Sequence, residues 1–177
     1  AEAVGPRQFG VGTPGGTEAL SHAAHVEAGR RPQATWVALD LRNAFPSSDR
    51  DAVLAAVAEE APAPLPYARL FLCRRSSYRY LGASGRGEVL HADEGVDQGD
   101  PLSPAFLGVA LRRPLEDLEN RLRALAETAN YEPEAAADAV RVRAYLDDVL
   151  VRVPDTLAAR VPTEANAVLA ALGGRLD

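Results

Sequence analysis

Residues 141–153 constrain the fold more strongly than any other stretch, because they place an acidic pair between two alternating apolar runs. Every second position is apolar before the pair and again after it: Val140, Val142 and Ala144, then Val149, Val151 and Val153. This period predicts a β-hairpin with Asp147 and Asp148 at or beside its tip. Neighbouring carboxylates repel each other and are costly to desolvate, which a bound divalent cation relieves. Since Asp is also a common turn residue, an ordinary surface turn is an equal alternative on these residues alone.

A further acid, Asp40, lies at the end of the apolar run 35–41. The run predicts a strand covered on both faces, where an unpaired charge is costly. If this strand pairs beside the hairpin, Asp40 and Asp147 converge on one sheet edge. Carboxylates suit hard cations such as Mg²⁺, and two such ions about 3.5–4 Å apart activate a hydroxyl and stabilise a leaving phosphate. No His lies near either acid in the sequence, which disfavours zinc.

Helical spacing, capping signals and turn residues predict the remaining elements, which together with the strands indicate an α+β domain. Helices are predicted at 17–28, after Ser48, and at 67–75, 105–126 and 156–172. Gly29 is expected to stop the first helix, and Ser48 to cap the second, on which Arg50 would be a surface charge. Ser103 is expected to cap helix 105–126, which Pro114 would kink or restart. Strands 78–81 and 88–96 are expected to form a second hairpin, and 127–139 a loop.

Composition bounds the functional classes. A chain of 177 residues with 47% hydrophobic content suits one globular domain. Its single cysteine, Cys73, excludes an internal disulfide or a cysteine-based zinc site, and is expected to pack on an apolar helix. No apolar run approaches a membrane span and no targeting signal is visible, so we expect no membrane partner. The net charge of -6 argues mildly against a nucleic-acid partner.

Four segments, in order along the chain, resemble motifs of reverse transcriptases. The sequences ALDLRNAF at 38–45, QGDPLSPA at 98–105 and AYLDD at 144–148 resemble palm motifs A, B and C. The residues QFGV at 8–11 with GGTE at 15–18 resemble the fingers-side motif, most like non-LTR retrotransposon enzymes. The likeness spans residues 8–148, which is nearly the whole chain.

The resemblance implies a fold and an activity. The expected fold is an α+β right-hand palm, an antiparallel sheet packed on helices, with part of the fingers. Residues 1–177 would be one partial domain, with 1–34 on the fingers side and 35–177 forming the palm with interleaved fingers elements. The implied activity is that of an RNA-directed DNA polymerase, a nucleotidyltransferase of a retroelement. Its expected cofactor is a pair of Mg²⁺ ions, with Mn²⁺ as a substitute, and its partners are an RNA template, a DNA primer and deoxynucleoside triphosphates. We expect an intracellular location, the nucleus among the options, and the oligomeric state stays open.

The resemblance also gives roles to individual residues. Catalytic and metal-binding carboxylates would be Asp40, Asp147 and Asp148, with the Leu41 carbonyl also facing a metal. Substrate-binding residues would be Leu41, Phe45, Gln98 and Gly99: Phe45 stacks beneath the incoming sugar, and Gln98 and Gly99 lie against the nucleotide and template. On physical grounds alone, Phe45 is as well explained as a core residue.

The likeness ends just after motif C. In the family a lysine-bearing motif and a thumb follow, so we expect a fragment that lacks the thumb and is inactive alone if those parts are essential. An inactive or domesticated palm that binds partners without polymerising is therefore the alternative. A nucleotide cyclase is a third option, against which the loop at 98–105 argues.

Overall fold

A computed structural model of the chain describes residues 2–82, 85, 87–129, 133–173 and 176, with residue 133 described in its backbone only. The helices are α1 Gly16–Arg30, α2 Ala44–Ser47, α3 Arg50–Glu60, α4 Leu65–Leu72, α5 Ser103–Thr128, α6 Pro133–Ala139 and α7 Val161–Leu169. The strands are β1 Ala34–Asp40, β2 Ser76–Leu81, β3 Gly87–Ala92, β4 Arg141–Tyr145 and β5 Asp148–Pro154. Short 3₁₀ helices occupy Glu2–Val4, Asp155–Arg160 and Ala170–Leu172. Within these ranges, every helix is too short or too polar to cross a membrane.

The predicted acidic hairpin is present as β4 and β5, and β1 pairs antiparallel along the other edge of β5 in the order β1-β5-β4. Its alternation is confirmed, because the alternating apolar residues on which the prediction rested are buried: Val140, Val142, Ala144, Val149, Val151 and Val153. The expectation that β1 is covered on both faces is wrong. Leu39 is buried, whereas Ala38 and Asp40 on the opposite face are exposed. Successive side chains of a strand point to opposite faces of the sheet, and helices cover only one of those faces at this end.

Helix α5 forms the centre of the hydrophobic core and packs against α3, α7 and β4. Its buried stripe has helical spacing: Leu107, Leu111, Leu115, Leu118 and Leu122. The helix continues through Pro114 without restarting. The predicted second hairpin is present as β2 and β3, and residues 83, 84 and 86 of its loop lie outside the described residues.

Several predicted helix ends are shifted. Helix α1 includes Gly29 and ends at Arg30, so glycine is not its stop. Asp49, not Ser48, caps α3, because its side chain accepts a hydrogen bond from the Ala52 N–H at 2.8 Å. Ser48 is buried and its hydroxyl donates to a carbonyl in α2 instead.

Other boundaries differ in the same way. Helix α4 ends at Leu72, so Cys73 is exposed at the helix end and the prediction that it packs on an apolar helix is wrong. Ser103 lies in the first turn of α5, and Asp100 accepts from the Leu102 N–H just before it. The predicted loop 127–139 is wrong where α5 extends to Thr128 and α6 begins at residue 133. Residues 130–132 lie outside the described part of the chain.

Arg50 is not the surface charge that its helical position suggests, because it is only 7% exposed. Its guanidinium donates to the Gly95 carbonyl at 2.8 Å, the Arg74 carbonyl at 2.7 Å and the Ser76 hydroxyl at 3.0 Å. These bonds join α3 to the start of β2 and to the loop after β3. The fork geometry of arginine suits this triple contact.

We expect Arg50→Ala to lower the free energy of unfolding by about 3 kcal/mol, because it leaves three acceptors without their donor. Arg50→Lys should fall between the wild type and the alanine variant, since one ammonium cannot reproduce the fork. Urea denaturation measures both values. Arg113→Ala is the matched control: Arg113 is exposed and pairs with Glu59 and Glu60 on the surface, so its loss should change the free energy of unfolding far less than the loss of Arg50 does. An equal loss at the two positions would contradict this account.

Candidate active site

Strand pairing brings two of the three predicted carboxylates together. Asp40 at the end of β1 lies directly opposite Asp148 at the start of β5, and Tyr145 on β4 flanks Asp148 on its other side. Directly opposed residues of antiparallel strands have Cα atoms about 4.5–5.5 Å apart and direct their side chains to the same face. Both carboxylates are exposed. This end of the sheet, which we call the acidic edge (Asp40 and Asp148, with the turn residue Asp147), therefore presents the acids Asp40 and Asp148 to solvent.

Asp147 precedes Asp148 in the hairpin turn between β4 and β5. The turn consists of Leu146 and Asp147, and Leu146 adopts a left-handed backbone with φ 55°. Burial raises the pKa of the half-buried Asp147 carboxyl; a hydrogen bond from its own backbone opposes the rise, and the charges of Asp148 and Asp40 add to it. The three acids are thus close enough to repel one another in the absence of a cation.

The acids fit Mg²⁺ by chemistry, although they do not form a complete protein cage. Among the described residues, no three His, Cys, Asp or Glu side chains are grouped so as to hold a metal ion. Mg²⁺ does not require such a group, because proteins commonly bind it through one or two carboxylates, with substrate phosphates and water as the other ligands. The two opposed carboxylates of Asp40 and Asp148 are a donor set of this kind.

The segment after Asp40 holds two further predicted residues. Leu41 is buried and its carbonyl accepts a hydrogen bond from the Ala44 N–H at 3.3 Å, which leaves one lone pair of that oxygen for another partner. Phe45 is half-buried in α2 and packs against the hydrophobic core. Core packing, the alternative for Phe45, is therefore present, and its role beneath a sugar stays a prediction.

Gln98 and Gly99 lie in the exposed loop between β3 and α5, where Gly99 has φ 96°. Two backbone hydrogen bonds tie this loop to α2 and the residue after it: Val96 N–H to the Phe45 carbonyl at 2.8 Å and Gly95 N–H to the Ser48 carbonyl at 2.7 Å. The structure therefore joins the loop at 98–99 to the segment that follows Asp40. The nucleotide-binding roles of Gln98 and Gly99 stay predictions.

Gln8 is a residue of this region for which the sequence indicated no individual role. It is buried, and its side chain contacts the backbone of the turn that contains Asp147. A glutamine in a glycine-rich segment has no periodicity that predicts burial, so only the three-dimensional contacts identify it.

No protein-family model matches the chain, and no curated protein matches it. Solved structures with a similar fold include telomerases. The structure of telomerase from Candida albicans in complex with the TWJ fragment of telomeric RNA has a TM-score of 0.62 at 10% identity, covering 100% of this chain and 32% of that chain. Apo telomerase from Candida tropicalis has a TM-score of 0.61 at 9% identity, covering 91% of this chain and 31% of that chain.

Identities this low show a shared fold alone. This chain spans about a third of the length of the telomerase chains that it resembles. The predicted α+β class, with antiparallel sheets and packed helices, is confirmed. The finer assignment to palm and fingers, and the division at residue 34, stay predictions. The comparisons thus show that the fold that carries the acidic edge is similar to that of about one third of a telomerase chain.

Proposed function

We propose that this chain is the palm-centred part of an RNA-directed DNA polymerase of the reverse transcriptase family, similar to non-LTR retrotransposon enzymes. The observation that carries the proposal is the register of β1 against β5, which sets Asp40 opposite Asp148 beside the turn residue Asp147. The likeness to telomerase, a specialised reverse transcriptase, supports the same class of chemistry. A polymerase requires acids from separate segments at one end of the sheet, and Asp147 lies 107 positions after Asp40 in the sequence.

In this proposal Asp40, Asp147 and Asp148 would hold two Mg²⁺ ions, or Mn²⁺, with the phosphates of a deoxynucleoside triphosphate as further ligands. The bound ions would lower the pKa of a hydroxyl and neutralise charge on the phosphates. The primer 3′-hydroxyl would release its proton to water and attack the α-phosphorus; the new phosphodiester bond forms as the bond from that phosphorus to the α,β-bridging oxygen breaks, and pyrophosphate leaves. Phe45 would support the sugar, and Gln98 with Gly99 would border the nucleotide and template, so that positioning adds to charge stabilisation.

The whole chain also carries a net charge of -6, so its nucleic-acid contacts must be local. Arg74 and Arg79, exposed at the end of α4 and on β2, are proposed contacts for the RNA template or the DNA primer backbone. Arg75 is also exposed but pairs with Asp93 at 3.0 Å, which offsets its charge. The expected interaction is therefore salt-sensitive and confined to the β2–β3 side of the molecule.

The test is extension of a DNA primer annealed to an RNA template by the full 177-residue chain. We expect template-directed extension that stops on chelation of divalent cations and returns when Mg²⁺ or Mn²⁺ is added. Calorimetric titration of Mn²⁺ into the wild type and Asp40→Asn is run in parallel. Mn²⁺ binding that depends on Asp40, without extension, would favour the alternative of a palm that does not polymerise. A folded chain that neither extends the primer nor binds Mn²⁺ would contradict the proposal.

A further inference from the structure

We propose that Gln8 is a positioning residue that holds the hairpin turn carrying Asp147 in the conformation needed for metal binding. The inference rests on the proposed function of the acidic edge but concerns a residue outside it. Gln8 belongs to the N-terminal segment and lies 138 positions before the turn residue that it contacts.

A single side-chain amide satisfies both backbone polar groups of Leu146. The Gln8 Oε1 accepts from the Leu146 N–H at 2.7 Å, and Nε2 donates to the Leu146 carbonyl at 3.2 Å. The same Oε1 also accepts from the Gly10 N–H at 2.9 Å. Gln8 is only 3% exposed, so water does not compete freely for these bonds.

The turn depends on this pairing because Leu146 lies outside the β4–β5 ladder, whose closing pair is Tyr145 with Asp148. Its N–H and carbonyl therefore need partners other than β5. Leu146 also has φ 55°, a backbone conformation that a side chain disfavours and that persists only where surrounding contacts enforce it. Gln8 supplies that contact at the residue immediately before Asp147.

The segment that carries Gln8 is itself fixed against the outer edge of β4. The Phe9 N–H donates to the Ala144 carbonyl at 2.8 Å, and the Ala144 N–H donates to the Arg7 carbonyl at 2.7 Å. Gly10 allows the close approach, because a Cβ there would lie 2.8 Å from the Leu146 nitrogen. The Gln8 amide is therefore held in place before any ligand binds, as a positioning group must be.

The consequence concerns the direction of one carboxylate. Without the amide, Leu146 can relax toward commoner backbone angles and carry the neighbouring turn residue Asp147 away from Asp40 and Asp148, which the strand ladder holds opposite each other. Groups that orient metal ligands typically change metal affinity or activity by about 10–100-fold when removed. We expect Gln8→Met, which keeps the side-chain length but removes the two hydrogen bonds to Leu146 and the one from Gly10, to have an effect of this size.

Three measurements on the full chain test the inference. In Gln8→Met we expect the Leu146 amide to exchange its hydrogen faster, Mn²⁺ affinity to fall about 10–100-fold and kcat of extension to fall by a similar factor. The KM for the nucleotide should change less than about twofold, because no substrate contact is removed. Leu122→Ala is the control: Leu122 is fully buried in α5, so the variant loses stability without touching the turn.

The outcomes separate this inference from the proposed function. If Gln8→Met keeps the wild-type Mn²⁺ affinity, the positioning role is wrong. It is also wrong if Leu122→Ala, when its free energy of unfolding equals that of Gln8→Met, loses as much Mn²⁺ affinity as Gln8→Met does. If the wild type does not extend a primer, the polymerase assignment is wrong. Mn²⁺ affinity and Leu146 amide exchange still decide the role of Gln8 in that case, since neither requires polymerisation. Lower Mn²⁺ affinity with unchanged hydrogen exchange at the Leu146 amide would also contradict the positioning role.

Discussion

Asp147→Asn is expected to lower the rate of primer extension by at least about 10³-fold while the chain stays folded. Asparagine has nearly the shape of aspartate but lacks the negative charge that attracts a divalent cation. Burial raises the pKa of the Asp147 carboxyl, and repulsion from Asp148 and Asp40 adds to the effect. The charged form is thus disfavoured in the folded chain, so a neutral amide at this position should not destabilise the metal-free protein.

Single-turnover extension and thermal unfolding, each with and without Mg²⁺, check both parts of this expectation. At a Mg²⁺ concentration of 100 times its Kd, the wild type should be stabilised by about 2.7 kcal/mol. The Asp147→Asn variant should lose most of that gain but match or exceed the wild-type Tm without metal. Asp117→Asn, an exposed change on α5, is the control and should alter neither quantity. If Asp147→Asn extends the primer at the wild-type rate, the acidic edge is not part of the mechanism.

The acidic edge could be predicted because its information is local. Period-two alternation identifies both hairpin strands, and one buried face fixes how β1 pairs with them. Leu39 lies opposite Val149 in the core, and a slip of one residue would turn every side chain to the wrong face. Once that apolar pair is aligned, Asp40 must oppose Asp148. The strand register follows from the hydrophobic pattern, whereas the catalytic role does not.

The buried polar residues could not be predicted because their partners are distant in sequence. Arg50 stands where helical spacing indicates a surface charge, and its burial is compensated by acceptors 24 to 45 positions away. Gln8 likewise bonds to a turn 138 positions later. Periodicity detects apolar faces, but a satisfied buried polar group has no pattern of its own. Cys73 shows the reverse error, since its apolar neighbours suggested a burial that the earlier end of α4 prevents.

Gly95→Ala is expected to lower the free energy of unfolding by about 4 kcal/mol, from backbone strain and overpacking together. Gly95 has φ 79°, and a Cβ there would lie 2.2 Å from the Pro46 carbonyl oxygen. The clash is with backbone, which cannot rotate away. Gly95 also donates to the Ser48 carbonyl and accepts from Arg50, so a shift of the loop to relieve the clash would break bonds on both sides.

Gly99→Ala is the matched control, because Gly99 lies in the same loop with φ 96°, but an added Cβ there would meet no atom of the described residues within 4 Å, its chain neighbours aside. It should lose only about 1 kcal/mol through backbone strain. Urea denaturation of the two variants separates the clash from the strain that both share. The hydrogen bonds of Gly95 and Val96 join the loop of Gln98 to α2 and the residue after it. We therefore expect Gly95→Ala to lose more extension activity than its smaller folded fraction explains. Equal stabilities for the two variants would mean that the close approach of Gly95 to Pro46 does not hold this loop.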